Sequence, residues 1–206
     1  MKTGNLFNAY CPLRKRVLHS ARPLRDGDVM DYLRSYADIS PCGKYRYRLT
    51  REWSKDAFGG NKSCVFVMLN PSTADGGNDD PTIRRCVEFA QKLGYGSLDV
   101  VNLFAYRATN PQQLLALNYL QNPIGDRNQE AIETVCNAQD TGIIVAAWGA
   151  HGGHIGQDET VLGWMQRPKL VHALGVTKYG MPRHPLYLKS DSKPFFYPTP
   201  RTEGEG

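Results

Sequence analysis

No stretch of this chain approaches the ~20 consecutive apolar residues that a bilayer-spanning helix needs, so no membrane segment is expected. The opening residues, MKTGNLFNAYCPLRKRV, contain neither an apolar core nor a small-residue cleavage site, and no secretory signal is expected from them. Cysteine is sparse and scattered: Cys11, Cys42, Cys64, Cys86 and Cys136 form no C-x-x-C pair. An odd, dispersed set argues against a disulfide framework and against a Cys-rich zinc site. It suits buried free thiols in a reducing cytoplasm. Also missing are G-x-x-x-x-G-K-[ST], G-x-G-x-x-G, G-x-S-x-G and H-E-x-x-H, and with them the usual phosphate loops, dinucleotide turns, nucleophile elbows and zinc-protease helices. His151 and His154 stand three apart in a glycine-rich loop without an obvious third ligand, so neither metal nor cofactor is expected.

What is present fits one domain. A chain of 206 residues, 41% hydrophobic and 22% charged, can bury roughly 70% of its unfolded surface around a single core. The net charge of +5 is unevenly spread. Residues 1–28 carry six basic and two acidic side chains, whereas the rest carries nineteen and eighteen. The body is nearly neutral, and residues 1–28 read as a basic arm able to track phosphates. Residues 29–190 read as one α/β domain, and residues 191–206 as a proline-rich tail.

Along that domain, buried runs alternate with helical patterns. Tyr45, Tyr47 and Leu49 alternate with Lys44, Arg46 and Arg48, which predicts a strand with one apolar face. Cys64–Leu69 is uninterrupted and apolar, as in a central strand covered on both sides. Asp80 followed by Pro81 predicts a capped helix carrying Ile83, Cys86, Val87, Ala90 and Leu93 inward. Further strands are expected at 98–101, 142–148 and 170–174, with helices near 111–117, 126–138 and 159–165. The expected fold is a three-layer αβα sandwich around a mostly parallel sheet of about four strands.

Ligands of such sheets bind beyond the carboxyl ends of the strands. Those ends carry Asn70-Pro71-Ser72-Thr73, Asn102 with Arg107, Trp148-Gly149 and Arg183-His184-Pro185. An asparagine amide offers donors and an acceptor in one plane, which matches a nucleobase edge. Asp75, Asp79 and Asp80 include a candidate base to activate water. Asp80 is expected to be spent on its helix, and Asp75 is taken as the catalytic carboxylate. His184 is a candidate donor to an oxyanion. Arg84, Arg85 and Arg107 are candidate phosphate holders, and Tyr106 or Trp148 a stacking surface. Pro71, Ser72 and Arg183 complete the candidate substrate contacts.

Six segments carry a resemblance that covers about residues 40–190: Cys42–Leu49 with Trp53, Phe66–Asp75, Asp80–Cys86, Val101–Thr109, Ala147–Gly149 and Gly180–Leu186. Together they resemble domain-of-unknown-function family 1643, found in bacteria and their phages. More distantly, a strand ending in Asn-Pro, a middle strand running into Val-Asn-Leu and a late His-Pro-Leu loop resemble the signature segments of the uracil-DNA glycosylase superfamily. That resemblance implies a sheet order of 2-1-3-4 and a hydrolase of N-glycosidic bonds in a base, nucleoside or nucleic acid. It implies that Asn70 holds the attacking water, Asn102 reads the base edge and His184 supports the leaving base. Leu186 or Tyr187 would fill the gap left by a flipped nucleotide. Met68 and Ser72 depart from its pattern, where those glycosylases have glycine. The alternative reading is a non-catalytic module that binds nucleic acid or nucleotides, and a third is a different hydrolase or transferase using the same rim.

Overall fold

The structure is a computed structural model, in which residues 32–55, 62–72, 74–117, 121–166 and 170–197 are described. The basic arm at 1–28 and the tail beyond residue 197 lie outside the described residues.

Strand β3 (Ser63–Met68) sets the layering, because all six of its side chains are buried. Successive strand residues point to opposite faces. Cys64, Phe66 and Met68 therefore enter one hydrophobic cluster, with Ile83, Cys86, Val87, Phe89 and Ala90 of helix α1 (Pro81–Lys92). Val65 and Val67 enter the other, with Ile132, Val135 and Cys136 of α3 (Asn128–Cys136) and Val161 of α4 (Gln157–Trp164). Three layers result, with the sheet in the middle.

Among the described residues, seven strands form that sheet. In chain order the others are β1 (Arg34–Ile39), β2 (Arg46–Glu52), β4 (Ser97–Asn102), β5 (Thr141–Ala146), β6 (Val171–Ala173) and β7 (Phe195–Phe196). Their spatial order is β1-β2-β4-β3-β5-β6-β7. The inner four, β4-β3-β5-β6, pair in parallel. The β1–β2, β2–β4 and β6–β7 pairs are antiparallel. A mostly parallel sheet of about four strands is thus corrected to a mixed one of seven, whose full order is not the four-strand 2-1-3-4. The extra strands are edge-side pieces: β1 is half-exposed along its length, and β7 has two residues. Because Phe195–Phe196 pairs with β6 and Tyr197 is buried, the folded body extends past the expected boundary at residue 190.

The helix starts follow their caps. Asp80 accepts the Ile83 N–H at 2.8 Å with Pro81 at the first helical position, and Asn110 accepts the Gln112 N–H at 2.9 Å to start α2 (Pro111–Leu115). Each cap satisfies one of the amides that a helix leaves open.

Strand β2 departs from strict alternation. Opposite Asp38 stands Arg48, and opposite the next residue, Ile39, stands Arg46, so Tyr47 is an extra residue on β2. Such a bulge shifts the facing of everything before it. Arg46 thereby joins Leu49 and Arg51 on the α1 side instead of sharing a solvent face with Arg48. Both arginines are buried, and both grip the segment that leads into α1. Arg46 donates from Nη1 to the Ala74 carbonyl at 2.7 Å. Arg51 donates to Asp79 Oδ1 at 2.8 Å, to the Thr50 carbonyl at 2.9 Å and to the Asp75 carbonyl at 2.6 Å, and lies over the Tyr32 ring.

Removing one partner of a buried ion pair strands the other, which costs about 3–5 kcal/mol. Arg51→Leu should lower the stability measured by urea unfolding by about that amount, while Tyr179→Ala, at an exposed position, should change it by no more than about 0.5 kcal/mol.

Candidate functional site

Parallel pairing of β4, β3 and β5 brings Asn102, Asn70 and Trp148, one at or just past each carboxyl end, to a single rim. Hydrogen bonds continue past the strands and fix where each loop leaves: Leu103 and Phe104 N–H donate to the Met68 and Leu69 carbonyls at 2.8 and 3.0 Å, and Ala147 N–H to the Val67 carbonyl at 2.8 Å. A cleft of about 420 Å³ opens there, a size suited to a small organic ligand. Asn70, Ser72, Asp80, Asn102, Trp148 and His184 line it, together with Arg46. His151, Leu186 and Tyr187 also border it.

Asn70 is held by its own amide. Its Nδ2 donates to the Ala108 carbonyl at 2.8 Å and to the Pro71 carbonyl at 3.1 Å, tying the loop after β3 to the one after β4. This leaves Oδ1 as the group it has to offer a ligand or a water.

Asn102 is in the opposite condition. It is 1% exposed, and its Nδ2 has no hydrogen-bond partner among the described residues. Its backbone is fastened from below: Asn128 Nδ2 donates to the Asn102 and Leu103 carbonyls at 3.0 and 3.1 Å, and Gln157 Nε2 to the Leu103 carbonyl at 3.2 Å. A buried donor left unpaired costs about 1–3 kcal/mol, so this amide is a cost held in place.

His184 closes the opposite wall. Its Nδ1 accepts the Leu186 N–H at 3.4 Å and so caps the short 3-10 turn Pro185–Tyr187. With Nδ1 accepting, the proton of the neutral ring sits on Nε2, which is then a donor. Burial pushes the pKa of His184 below its ordinary value, against a smaller opposing pull from Asp80.

Asp80 is the one carboxylate among the described residues that line the cleft. One oxygen caps α1 and the other accepts the Ser72 hydroxyl. Trp148 is 1% exposed and packs edge-on against Tyr197 at 5.8 Å. It borders the cleft as a core residue, and the exposed aromatic at the lip is Tyr187. Gly152 permits this packing, because a Cβ there would fall 1.9 Å from the indole.

Seven expected site residues lie elsewhere. Asp75 does not line the cleft; its Oδ1 accepts the Gly77 and Asn78 N–H groups at 2.8 and 2.9 Å. Those bonds hold its pKa below the usual carboxylate value, which suits a turn brace and not a base. Pro71 is buried behind the rim, where its carbonyl accepts the Ala108 N–H at 2.9 Å. Tyr106 packs edge-on against Tyr45 at 6.0 Å. Arg107 Nη1 reaches the Gly43 carbonyl at 3.2 Å, and Arg183 is exposed to solvent. Arg84 and Arg85 are tied to the Asp79 carbonyl and to Glu88 and the Leu188 carbonyl. His154 stacks at a tilt on Phe104, and no group of three or more His, Cys, Asp or Glu among the described residues is placed to hold a metal.

Arg46 and Asn128 belong to the site without a sequence motif that marks them. Asn128 carried no signal beyond its place in a helix. Arg46 sat in an alternating pattern whose parity a bulge reverses.

The lowered pKa of His184 has a signed consequence. The folded state favours the neutral ring, so its contribution to stability is present above the unfolded value of about 6.5 and is lost as the pH falls through the lower folded value. NMR titration of the His184 ring should give a midpoint below 6.5, and His184→Gln should remove that part of the acid-side loss of stability.

No curated protein and no solved structure matches this sequence. Residues 46–186 match the model of the family described as Protein of unknown function (DUF1643), which spans the bulged strand, every carboxyl-end loop and the His184 turn. With more than half of its length inside that match, the chain belongs to the DUF1643 family.

Proposed function

We propose that the cleft binds a nucleobase and that the protein hydrolyses the N-glycosidic bond that carries it. The observation that carries this reading is the unpaired Asn102 amide, buried at the cleft and braced from behind by Asn128. A planar donor–acceptor edge recovers the cost of that orphan donor only when a group with complementary planar polarity lies against it. The rest of the rim divides the work. Asn70, its Nδ2 spent on two carbonyls, presents Oδ1 to orient a water. Asp80 replaces Asp75 as the carboxylate at hand. His184, neutral with its proton on Nε2, donates to the base as it leaves with negative charge. The order of these segments along the chain, Asn-Pro, then Val-Asn-Leu, then His-Pro-Leu, supports the same reading through its resemblance to uracil-DNA glycosylases.

A second reading has its own support. Both Asp80 oxygens and the Asn70 amide already have partners, as suits a module that binds without turnover. The two readings part in one assay, release of free base from oligonucleotides carrying modified bases, followed by chromatography. The hydrolase reading expects release, lowered about 10²–10³-fold in His184→Ala, the loss typical of a single oxyanion donor. Asn70→Ala should also remove most turnover while leaving binding. Asn102→Ala should weaken or broaden recognition more than it slows the bound complex. Binding that needs Asn102 without any release supports the module; neither binding nor release overturns both.

A further inference from the structure

Two buried arginines of β2 grip the same segment, and they differ in how far their hydrogen-bonding capacity is met. Arg51, 0% exposed, bonds at Nε, Nη1 and Nη2, pairs with Asp79 at 2.8 Å and stacks on Tyr32. It is what an arginine with a purely structural task looks like in this fold. Arg46 is 2% exposed; among the described residues its side chain makes one hydrogen bond, from Nη1 to the Ala74 carbonyl, and its Nε has no partner. No carboxylate lies within ion-pairing distance of it among the described residues. Asp80 shares the cleft, but its oxygens are taken by the Ile83 N–H and the Ser72 hydroxyl.

A guanidinium this buried and this little paired is expensive, since both its charge and its donors have lost water. Burial lowers its pKa to about 10, with Asp80 opposing and the neighbouring Arg107 and Arg51 adding to the fall. It stays charged near neutral pH. Arg107, its electrostatic neighbour, also keeps a buried Nε without a partner among the described residues. Only Arg46 lines the cleft. The bulge at Tyr47 is what brings it there, and bulges commonly re-aim a side chain beside a working site.

We propose that Arg46 is an oxyanion subsite of the cleft and that the ligand carries a phosphate group as well as a base. This rests on the base-binding reading for the second half of the ligand, but not for the anion. The guanidinium fork suits phosphate oxygens, and Nε and Nη2 are the two nitrogens of Arg46 that make no hydrogen bond among the described residues. The phosphate of a free mononucleotide and that of a nucleic-acid strand share this chemistry.

The test follows the Arg46 Nε–H resonance by NMR during titration with inorganic phosphate, four nucleosides, their 5′-monophosphates and short single-stranded oligonucleotides, all at one ionic strength. The expected result is a saturable shift of that resonance with phosphate-bearing probes, and affinity for nucleotides exceeding that for nucleosides by about tenfold or more. Arg46→Gln should abolish the excess and leave nucleoside affinity in place, while Arg46→Lys keeps part of it. If Arg46→Gln does not fold, Arg46→Lys and the wild-type titration decide. Equal binding of nucleosides and nucleotides, with an unmoved Nε–H, overturns the subsite and leaves the base reading standing. Phosphate binding at Arg46 with no gain from any base upholds the subsite and defeats the base reading. A preference for oligonucleotides over monophosphates assigns the phosphate to a strand, and the reverse assigns it to a free nucleotide.

Discussion

Strand β3 has no side that faces water, and the rest of the molecule is arranged around that constraint. Six consecutive buried residues need cover on both faces and hydrogen bonds on both edges. Helix α1 supplies one cover, α3 and α4 supply the other, and β4 and β5 supply the edges. Once β4, β3 and β5 run parallel, their carboxyl ends must open on the same side. The polar residues that end those strands are thereby gathered on one rim by the pairing of the strands. The cleft is a consequence of how β3 is buried.

The rim has buried apolar anchors in Leu69, Leu103, Phe104 and Trp148, and it needs stiffness at its polar loops as well. It gets this from polar clamps. Arg51 and Arg46 grip the carbonyls of the segment between Ala74 and Asn78, Asn70 ties that loop to Ala108, and Asn128 with Gln157 holds the backbone beneath Asn102. Most of these clamps have their donors satisfied. Among the described residues that line the cleft, the Asn102 amide, the Arg46 Nε and the Trp148 Nε1 are the buried groups without a partner, and paired neighbours make an unpaired group informative.

The parts of this arrangement legible in the sequence are those that depend on local pattern. The apolar runs at β3, β4 and β5 had no competing explanation, and Asp80-Pro81 and Asn110-Pro111 announced their helices through capping chemistry. Asn70, Ser72, Asn102, Trp148 and His184 follow from strand ends. Other placements depended on tertiary hydrogen bonds. Tyr106 and Arg107 stand only a few residues past β4, yet the chain has already turned to pair with the segment before β2, through the Tyr45–Tyr106 bridge and the Arg107 N–H to the Lys44 carbonyl at 2.9 Å. Asp75 and Asp80 are interchangeable in composition, and the turn through Gly77 and Asn78 decides which of them faces the cleft. Nothing in Tyr45–Leu49 shows that one residue is extra, so the facing of Arg46 was not readable. Strands β1 and β7 lack a buried run altogether.

The central claim is that Asn102 is a reader left unpaired for a base. Its side-chain amide protons, observed by ¹⁵N NMR while free nucleobases are added one at a time, test this most directly. The account predicts a saturable shift of the Asn102 amide with at least one base, absent in the Asn128→Ala protein. An amide that stays unmoved by every base, while Asn128 and the fold remain intact, would contradict it.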